Sequence, residues 1–361
     1  MKIGILTQPL SRNYGGILQN YALQQVLKKM GHEPYTFDLG LYTWKDWFII
    51  TSKCIIKRII GMSCSFPETP INRKKKEKIL RRFVDKHISL VSPRCDKPSK
   101  KYILEYDLQA IVVGSDQVWR PKYNYPIEKM FLNFAQSLNI KRVAYAASFG
   151  TSDWEYKEEQ LKICKQLVQQ FDAISVREDS GVELCKKYLN VSATHVLDPT
   201  LLLTKDDYNK LIADIPTAKD SYLFAYILDE DQRKRSFIAK IAKEKNLVPV
   251  ILGAGKELKD DDSIETWVAY FRDAKYVITD SFHGTVFSII YNKDFIVIEN
   301  MHRGLSRMYS LLKMFNLFDH IVTEVNVVAR KSFSKKIDWS YVNDIWAKNR
   351  SESTFFLMKN L

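Results

Sequence analysis

A polar turn at residues 280–283 carries the side chains of this sequence that are best suited to chemistry. The apolar run before it, 274–279, predicts a buried strand, and a helix is predicted to begin at Gly284. Ser281 is a favourable N-cap for that helix, whose free N–H groups and dipole form a seat for an anion. His283 lies in the first turn, where an imidazole can donate to a phosphate or pass a proton. The turn therefore predicts an anion site with a histidine beside it.

Three further predicted strands end in loops with reactive or conformationally special residues. The strand predicted at 2–7 runs into a loop with two glycines, the strand at 110–113 ends in Gly-Ser-Asp, and the strand at 172–176 ends in an arginine. The residues at these strand ends are Asn13, Tyr14, Gly15, Gly16, Ser115, Asp116, Gln117, Trp119 and Arg177. Because the carboxyl ends of parallel strands meet at one edge of a sheet, we expect these loops and the turn at 280–283 to line one cleft.

Cationic side chains are prominent at these strand ends. The strand predicted at 295–298 is followed by Arg303 and Arg307, which we expect at the same edge as Arg177 and His283. Guanidinium groups bind phosphate and carboxylate bidentately, so this set suits a small dianion that carries both groups.

The remaining candidates at strand ends have simpler interpretations beside the chemical one. Asp116 is either a general base toward a hydroxyl or the cap of the segment that follows it. Asp198 precedes Pro199 and is interpreted as a turn residue. The glycines of the first loop are not spaced as a dinucleotide fingerprint, so NAD is not expected.

The composition indicates a globular protein with more than one domain and an anionic partner. A chain of 361 residues exceeds one ordinary core, and its net charge is +13. The five cysteines are scattered, so neither a disulfide framework nor a metal site is expected. No nucleic-acid reading motif accompanies the charge, so we expect no nucleic acid partner. A predicted strand at the start, in place of a signal peptide, leads us to expect a cytoplasmic location.

Strands and helices alternate along most of the chain, which predicts an α/β fold with parallel sheets. The pattern restarts after a predicted helix at 154–170. The first domain is therefore predicted to span residues 1–170 and the second 171–320. The last segment, 321–361, is predicted to form helices that pack back toward the first domain.

The segment 41–101 contains two stretches of unusual composition. Within it, 41–62 interleaves tryptophan, phenylalanine and isoleucine with lysine and arginine, and 73–82 is a dense cationic run. Two interpretations stay open for this segment. Either it contacts the anionic inner face of the cell membrane as a basic amphipathic element, or it packs on its own domain as a helix or hairpin.

Taken together, six motifs resemble those of the polysaccharide pyruvyl transferase family. They are NYGGILQNYALQ (13–24), GSDQVW (114–119), YAASFG (145–150), SVREDSG (175–181), LDPTLLL (197–203) and DSFHGT (280–285). The resemblance covers most of the chain and is weakest over 41–101, which it therefore marks as an insertion. It implies two facing Rossmann-like domains with parallel sheets, similar to the glycosyltransferase B-type architecture. It also implies transfer of pyruvate from phosphoenolpyruvate, as a ketal, to a sugar of a capsular or exopolysaccharide precursor, with release of phosphate and without a cofactor.

The resemblance also suggests roles for individual residues. Arg177 and His283 match the arginine and histidine that bind the donor in the second domain of such enzymes. The donor-binding residues expected here are Arg177, Ser281, His283, Gly284, Arg303 and Arg307. We expect His283 to supply a proton or hold the phosphate, and Asp116 to act as a base toward the acceptor. The residues expected to hold the sugar acceptor, which would be lipid-linked if the insertion contacts a membrane, are Asn13, Tyr14, Gly15, Gly16, Ser115, Asp116, Gln117 and Trp119.

Two other functions stay open beside pyruvyl transfer. A nucleotide-sugar glycosyltransferase of the same architecture would need an acid for the ribose late in the second domain, and Glu299 after the strand at 295–298 could serve. A non-catalytic protein that binds a polysaccharide intermediate or an assembly partner is the second alternative.

Overall fold

The computed structural model describes residues 1–11, 13–253, 262–300, 304–323 and 336–361 and shows two α/β domains. The strands of the first sheet are β1 (Lys2–Leu6), β2 (Glu33–Leu39), β3 (Leu90–Cys95), β4 (Ala110–Val113), β5 (Lys141–Ala147), β6 (Ala173–Val176) and β7 (Thr194–His195). The strands of the second sheet are β8 (Tyr222–Ile227), β9 (Val248–Gly253), β10 (Tyr276–Thr279), β11 (Phe295–Ile298) and β12 (Ile321–Val322). All described strand pairs are parallel, which confirms the expected fold class.

The first sheet extends further along the chain than the sequence predicts. Its strand order is β3-β2-β1-β4-β5-β6-β7, and β6 pairs with β5 through Ala144 and Ile174. The predicted domain boundary at residue 171 is therefore wrong, because the strands on either side of it belong to one sheet. Local periodicity predicts that a strand forms but not which edge it joins, since pairing depends on partners distant in sequence. The second sheet begins only at Tyr222.

Both sheets reverse their strand order near the middle, which creates a crevice at the carboxyl ends of the strands. In the first sheet the reversal lies between β1 and β4, and in the second, whose order is β12-β11-β10-β8-β9, between β8 and β10. Ligands of open α/β sheets bind at such switch points. The two switch points are therefore the natural place for a site in this fold.

Helices connect most of these strands. They are α1 (Tyr14–Lys29), α2 (Trp44–Ile59), α3 (Pro70–His87), α4 (Lys100–Glu105), α5 (Glu158–Val168), α6 (Asp179–Leu184), α7 (Lys205–Leu211), α8 (Gln232–Glu244), α9 (Ile264–Asp273), α10 (Phe282–Ile290), α11 (Leu305–Met314) and α12 (Trp339–Asn360). Several begin at side-chain caps, such as the reciprocal pair of Thr204 and Asp207 at the start of α7. Within the described residues, no helix combines the length and the apolar character that crossing a membrane requires.

Helix α1 connects the two domains through its first residue. The Tyr14 hydroxyl donates a hydrogen bond to the carbonyl oxygen of Asp262 at 2.8 Å. The Tyr14 ring stacks on Trp267 of α9 with the ring centroids 5.5 Å apart. One buried apolar cluster also contains residues of both sheets, so the domains share a core. These contacts fix the positions of the two switch points relative to each other.

The C-terminal helix α12 packs on the first domain, where the tail was expected to return. The backbone N–H of Leu197 donates to Ser353 Oγ at 3.0 Å, and Trp346 Nε1 donates to the carbonyl oxygen of Leu201 at 2.7 Å. Helix α12 therefore packs beside the segment that follows β7, and its Phe356 ring also contacts Tyr145 of β5. The part of the predicted tail at 324–335 lies outside the described residues.

The predicted insertion at 41–101 forms α2, α3 and β3. Strand β3 pairs with β2, so the end of this segment is part of the first sheet, which corrects the interpretation of the whole segment as an insertion. Helix α2 begins at a capping box of Thr43 and Asp46 and buries Cys54 as its one fully enclosed residue. The Trp47 indole donates to the carbonyl oxygen of Pro67 at 3.2 Å. Helix α2 is therefore fixed to its domain by one narrow face.

Candidate functional site

A cavity of about 450 Å³ lies between the carboxyl ends of the two sheets. Its walls come from the loops after β1 and β4 in the first domain and after β8, β10 and β11 in the second. These are the loops at both switch points, so the topology places the cavity where ligands of such sheets bind. Residues from both domains line it, among them Asn13, Asp116, Gln117, His283, Glu299 and Arg307.

Ser281 caps α10 as its sequence predicts, but the helix begins at Phe282 and not at Gly284, because the residue after an N-cap is already helical. Ser281 is the N-cap, and its Oγ accepts a hydrogen bond from the backbone N–H of Gly284 at 3.3 Å. Glycine is needed at position 284 because a Cβ there would overlap Thr279 Oγ1. The start of α10 faces the cavity, with Ser281 and His283 both in its wall. The helix N-terminus therefore directs its positive end toward any anion in the cavity.

Asp280, in the same turn, has a structural role. Its Oδ1 accepts from the backbone N–H of Leu228 at 2.6 Å, and its Oδ2 accepts from Lys234 Nζ at 2.7 Å. These bonds tie the loop after β8 to the loop after β10 across the switch point. Both oxygens of the Asp280 carboxylate thus accept hydrogen bonds, and these bonds hold in place the turn that contains His283.

Gly15 brings the backbone of α1 against His283, across the domain boundary. A Cβ at position 15 would overlap the imidazole ring, so only glycine permits this approach. The other side of the ring packs edge-on against Phe282, with centroids 5.2 Å apart. His283 Nε2 is buried without a hydrogen-bond acceptor among the described residues and lies 3.7 Å from Asp198 Oδ2. The imidazole is therefore held between the two domains next to a carboxylate.

Asp198 lies at the centre of the site, although the sequence suggests only a turn residue. The turn interpretation holds for Oδ1, which accepts from Thr200 Oγ1 at 2.6 Å. Its Oδ2 accepts from Arg177 Nη1 at 2.7 Å and from Ser115 Oγ at 2.9 Å, and it faces His283. The interpretation of Asp198 as a turn residue alone is corrected, because one buried carboxylate contacts three other groups of the site.

The surroundings of Asp198 keep it ionised. Burial by itself raises the pKa of this carboxyl group, but His283, Arg177 and Thr200 outweigh burial and hold the pKa well below its usual range. A carboxylate with no exposed surface is stable only when charged or hydrogen-bonding partners surround it. Asp198 thus anchors Arg177 and places a carboxylate beside the His283 imidazole.

Arg177 follows β6 and belongs to the first domain, which corrects its expected place in the second. Its side chain is 1% exposed, and its Nη2 lies 3.5 Å from Asp116 Oδ1. Nε and Nη2 have no hydrogen-bond acceptor among the described residues. The guanidinium lies over the Phe282 ring at 4.6 Å from the centroid, and that of Arg307 lies 5.5 Å from the same ring. Two cations from different domains therefore share one aromatic ring.

Charged side chains lie close together at the cavity, and each shifts the pKa of its neighbours. Burial and the positive charge of Arg177 lower the pKa of Arg307 to about 10, although Asp116 works in the opposite direction. Burial raises the pKa of Asp116, but Arg177, Arg307 and His283 outweigh it and hold the pKa below its ordinary value. Arg307 Nη1 is 3.6 Å from Asp116 Oδ1, beyond hydrogen-bond distance. An anion in the cavity would relieve the unfavourable crowding of these two guanidinium groups.

The residues predicted for the acceptor side divide into two groups. Asn13, Asp116 and Gln117 line the cavity, and Gly16 lies next to the exposed Asn13 side chain. Asp116 has a backbone φ of +78°, a left-handed conformation that is uncommon for a residue other than glycine. This conformation follows β4 directly and directs the carboxylate toward Arg177.

The other predicted acceptor residues do not line the cavity. Trp119 is fully buried, stacks on Phe131 and donates its indole N–H to the carbonyl oxygen of Met130 at 3.2 Å. Its predicted acceptor role is wrong, because it is a core residue of the first domain. Tyr14 and Ser115 are buried as well, Tyr14 at the domain contact and Ser115 against Asp198. Among the predicted donor residues, Arg303 lies outside the described residues.

Sequence reasoning missed two members of the site, Asp198 and Phe282. Asp198 follows β7, and its place at a strand end was the signal that could have identified it. Phe282 lies between the cap Ser281 and His283, where an aromatic residue is indistinguishable in sequence from a core residue. Glu299 also lines the cavity, and its Oε1 accepts a hydrogen bond from the Tyr309 hydroxyl.

These features define a two-domain α/β protein with buried cationic side chains at a cleft between the domains. The family model of polysaccharide pyruvyl transferase matches residues 13–302. The chain therefore belongs to the polysaccharide pyruvyl transferase family, whose members are transferases. A search of curated proteins finds no match to this chain.

Three solved structures are similar to this chain over almost the whole length of both chains. The UDP-GlcNAc 2-epimerase of Neisseria meningitidis bound to UDP-GlcNAc is 11% identical, with a TM-score of 0.50 and complete coverage of both chains. The UDP-GlcNAc 2-epimerase of Methanocaldococcus jannaschii is 11% identical, with a TM-score of 0.47 and 99% of each chain covered. The glycosyltransferase VinC in complex with DTDP is 10% identical, with a TM-score of 0.45 and coverage of 99% and 98%. At these identities the likeness concerns the fold, which is of the glycosyltransferase B type.

Proposed function

We propose that this protein transfers pyruvate from phosphoenolpyruvate to a sugar of a cell-surface polysaccharide precursor, forming a ketal and releasing phosphate. Family membership supports the reaction class. The observation that supports phosphoenolpyruvate as the donor is a group of buried cations at the cavity. Arg177 and His283 present nitrogen atoms that lack a hydrogen-bond acceptor among the described residues, beside the crowded guanidinium of Arg307 and the N-terminus of α10.

Phosphoenolpyruvate matches this arrangement because it is a small anion with a phosphate and a carboxylate. Guanidinium groups bind both bidentately, and the first turn of α10 offers N–H groups to a phosphate. Arg307 lines the cavity and therefore contacts the donor directly, whereas Arg177 lies behind Phe282. Arg177 then reaches the donor only if Phe282 moves aside, and otherwise acts on the site through its charge.

Protonation of the donor is the first chemical step in this proposal. His283 donates a proton to the methylene carbon of phosphoenolpyruvate, and the Asp198 carboxylate 3.7 Å from Nε2 stabilises the imidazolium before the transfer. Asp198 is thus a positioning residue for His283 and Arg177. The cationic centre formed at the donor's second carbon is attacked by one sugar hydroxyl.

Ring closure completes the ketal. A second sugar hydroxyl attacks the same carbon, the bond to the phosphate oxygen breaks, and phosphate leaves with the electron pair. Two hydroxyl protons are released, of which one restores His283 and the other leaves with phosphate or solvent. Asp116 lines the cavity as a carboxylate and accepts one of these protons on its way out. Asn13 and Gln117 are polar residues of the first domain in the cavity wall and can hold the acceptor.

Thermal-shift titration with phosphoenolpyruvate tests the donor assignment. A ligand at a hundredfold excess over its Kd stabilises the native state by about 2.7 kcal/mol, so wild-type protein should show a saturable rise in Tm. His283→Ala and Arg307→Ala should lose this rise. Arg177→Ala is less informative because it leaves the buried Asp198 carboxylate without its closest cation.

His32→Gln is the matched control, since this half-buried histidine follows α1 far from the cavity wall and should leave the donor response unchanged. A rise in Tm with UDP, without one for phosphoenolpyruvate, would overturn the proposal. Unchanged donor responses in both cavity variants would separate donor binding from this cavity.

A nucleotide-sugar glycosyltransferase is the second candidate, and Glu299 is the observation that favours it. This carboxylate follows β11 and lines the cavity, where an acid for a ribose is needed. The Tyr309 hydroxyl already donates to it, so a ribose would have to share or displace that hydrogen bond. The UDP arm of the titration, repeated on Glu299→Gln, distinguishes this function from pyruvyl transfer.

A further inference from the structure

Helix α2 exposes an apolar face that reverses the usual distribution of side chains on a surface helix. The α2 face consists of Phe48 (59% exposed), Ile55 (45%), Ile56 (59%) and Ile59 (77%). These positions recur at helical spacing, so the side chains project from one side of α2. Ile60 and Met62 continue the exposed apolar surface beyond the helix end. An apolar patch of this kind marks a site of contact with another surface.

The charges around the α2 face are almost all positive. Helix α2 carries the cations Lys45, Lys53, Lys57 and Arg58. Its one carboxylate, Asp46, accepts from Thr43 Oγ1 at 2.6 Å within the capping box and is used there. Helix α3 adds the exposed Lys74, Lys75 and Lys78. A partner of this surface must therefore be apolar at depth and negative at its boundary.

We infer that the α2 face docks on an anionic lipid surface, with its isoleucines and Phe48 in the acyl boundary and its lysines at the headgroups. An amphipathic helix with aromatic and aliphatic residues on one side and lysines beside them has the composition of an interfacial helix. A second copy of the chain is a poorer occupant, because pairing two α2 helices would bring four cations against four with one carboxylate on each side.

The start of α2 lies close to the cavity. Arg73 of α3 lines the cavity, and its guanidinium stacks on the ring of Tyr42 at 4.6 Å from the centroid. Tyr42 lies two residues before the start of α2. Docking through α2 therefore keeps the cavity near the membrane, where a lipid-linked sugar would present its acceptor hydroxyls. This last step rests on the proposed pyruvyl transfer, whereas the docking itself does not.

Vesicle co-sedimentation of the full-length protein tests the docking. Wild-type protein should bind phosphatidylcholine vesicles that contain about 30% phosphatidylglycerol, and binding should weaken when salt is raised from about 0.1 to 0.5 M. The triple variant Phe48→Ser, Ile55→Ser, Ile59→Ser should lose about tenfold or more in partitioning because three apolar anchors are removed. Lys53→Ala with Lys57→Ala should lose less, and only toward the anionic vesicles.

The matched control is Phe355→Ser with Met358→Ser on α12, two apolar residues that are similarly exposed but lie on a different helix. This variant should bind vesicles like wild type. Circular dichroism and thermal unfolding should show that every variant folds, and the donor titration should be unchanged. Equal partitioning of the triple variant and wild type would overturn the inference. So would a dimer in light scattering that the triple variant abolishes, because the α2 face would then be an interface between two copies.

The assay contains neither donor nor acceptor, so its outcome is independent of the proposed reaction. Vesicle binding without a response to phosphoenolpyruvate would support the docking and contradict the proposed reaction. A response to phosphoenolpyruvate without vesicle binding would support the reaction and contradict the docking.

Discussion

Most globular proteins bury apolar side chains and expose charged ones. The cavity and the α2 face depart from this distribution in opposite directions. The site at the cavity buries charged groups, with Arg307 in the wall and Arg177 and Asp198 behind it, whereas α2 exposes Phe48 and Ile59. A buried charge and an exposed apolar patch are the informative exceptions in a globular protein, because each costs free energy unless a partner is present. The first indicates a small anion between two domains, and the second an extended apolar partner outside them.

The two regions also differ in how they respond to substitution. Each charged group of the cavity contacts several others, and Asp198 alone contacts Arg177, Ser115 and His283. Removing one member therefore disturbs the rest, and effects should not add. The exposed residues of α2 contact solvent, so their contributions to docking should add and leave the free energy of unfolding nearly unchanged.

The largest expected effect is that one variant in each region abolishes the property of that region and leaves the other property intact. His283→Gln should lower phosphate release from phosphoenolpyruvate by about 10² to 10⁴-fold, because glutamine cannot donate the proton, while vesicle binding stays at the wild-type level. Membranes from source cells that lack this protein would supply the acceptor. The α2 triple variant should retain its response to phosphoenolpyruvate and lose vesicle binding. If either substitution abolished both properties, the two regions would not be independent.

Asp198→Asn should destabilise the protein by about 3 kcal/mol or more, because the buried Arg177 guanidinium loses its closest counter-charge. The folded-state pKa of Asp198 lies below its ordinary value of about 3.9, so the carboxylate stabilises the fold fully above that pH. This contribution is lost as the pH falls toward the folded-state pKa.

Urea unfolding from neutral to acid pH measures the difference in free energy of unfolding between wild type and Asp198→Asn. The difference should narrow below a pH of about 4. The control is Asp207→Asn at the partly exposed cap of α7, which should cost less than about 1 kcal/mol. A difference for Asp198→Asn that stayed constant down to acid pH would contradict the ionised state of this carboxylate.

Gly15→Ala and Gly16→Ala form a neighbouring pair with different expected effects. A Cβ at position 15 would overlap the His283 ring, so this substitution should cost about 1–3 kcal/mol and reduce the rise in Tm with phosphoenolpyruvate. A Cβ at position 16 would lie 3.2 Å from Nδ2 of the exposed Asn13, which can rotate away. Gly16→Ala should therefore change stability by less than about 1 kcal/mol and keep the donor response. Equal responses would show that His283 does not depend on the approach of α1.

Tyr14→Phe should have the smallest effect. It removes the hydrogen bond from the Tyr14 hydroxyl to the Asp262 carbonyl and keeps the stacking on Trp267. The expected loss in free energy of unfolding is about 0.5–1.5 kcal/mol. Denaturant unfolding measures it, and a larger loss with two separate transitions would mean that this one bond couples the domains.

Local sequence was sufficient for the elements that position the site. The strand before residue 280, the cap at Ser281 and the helix after it follow from apolar runs and capping chemistry, which act over a few residues. The alternation of strands and helices was enough for the fold class. His283 was found for the same reason, since its place in the first turn of α10 is a local property.

Tertiary structure decided which partners each element meets. The sequence predicts strand β6 but does not reveal that it joins the first sheet, which moves Arg177 to the other domain. Trp119 sits in a motif beside reactive residues, yet packing makes it core, and Asp198 looks like a turn residue until Arg177 and His283 come near it. Pairing, burial and ionisation all depend on groups distant in the chain, and only the folded structure brings these groups together.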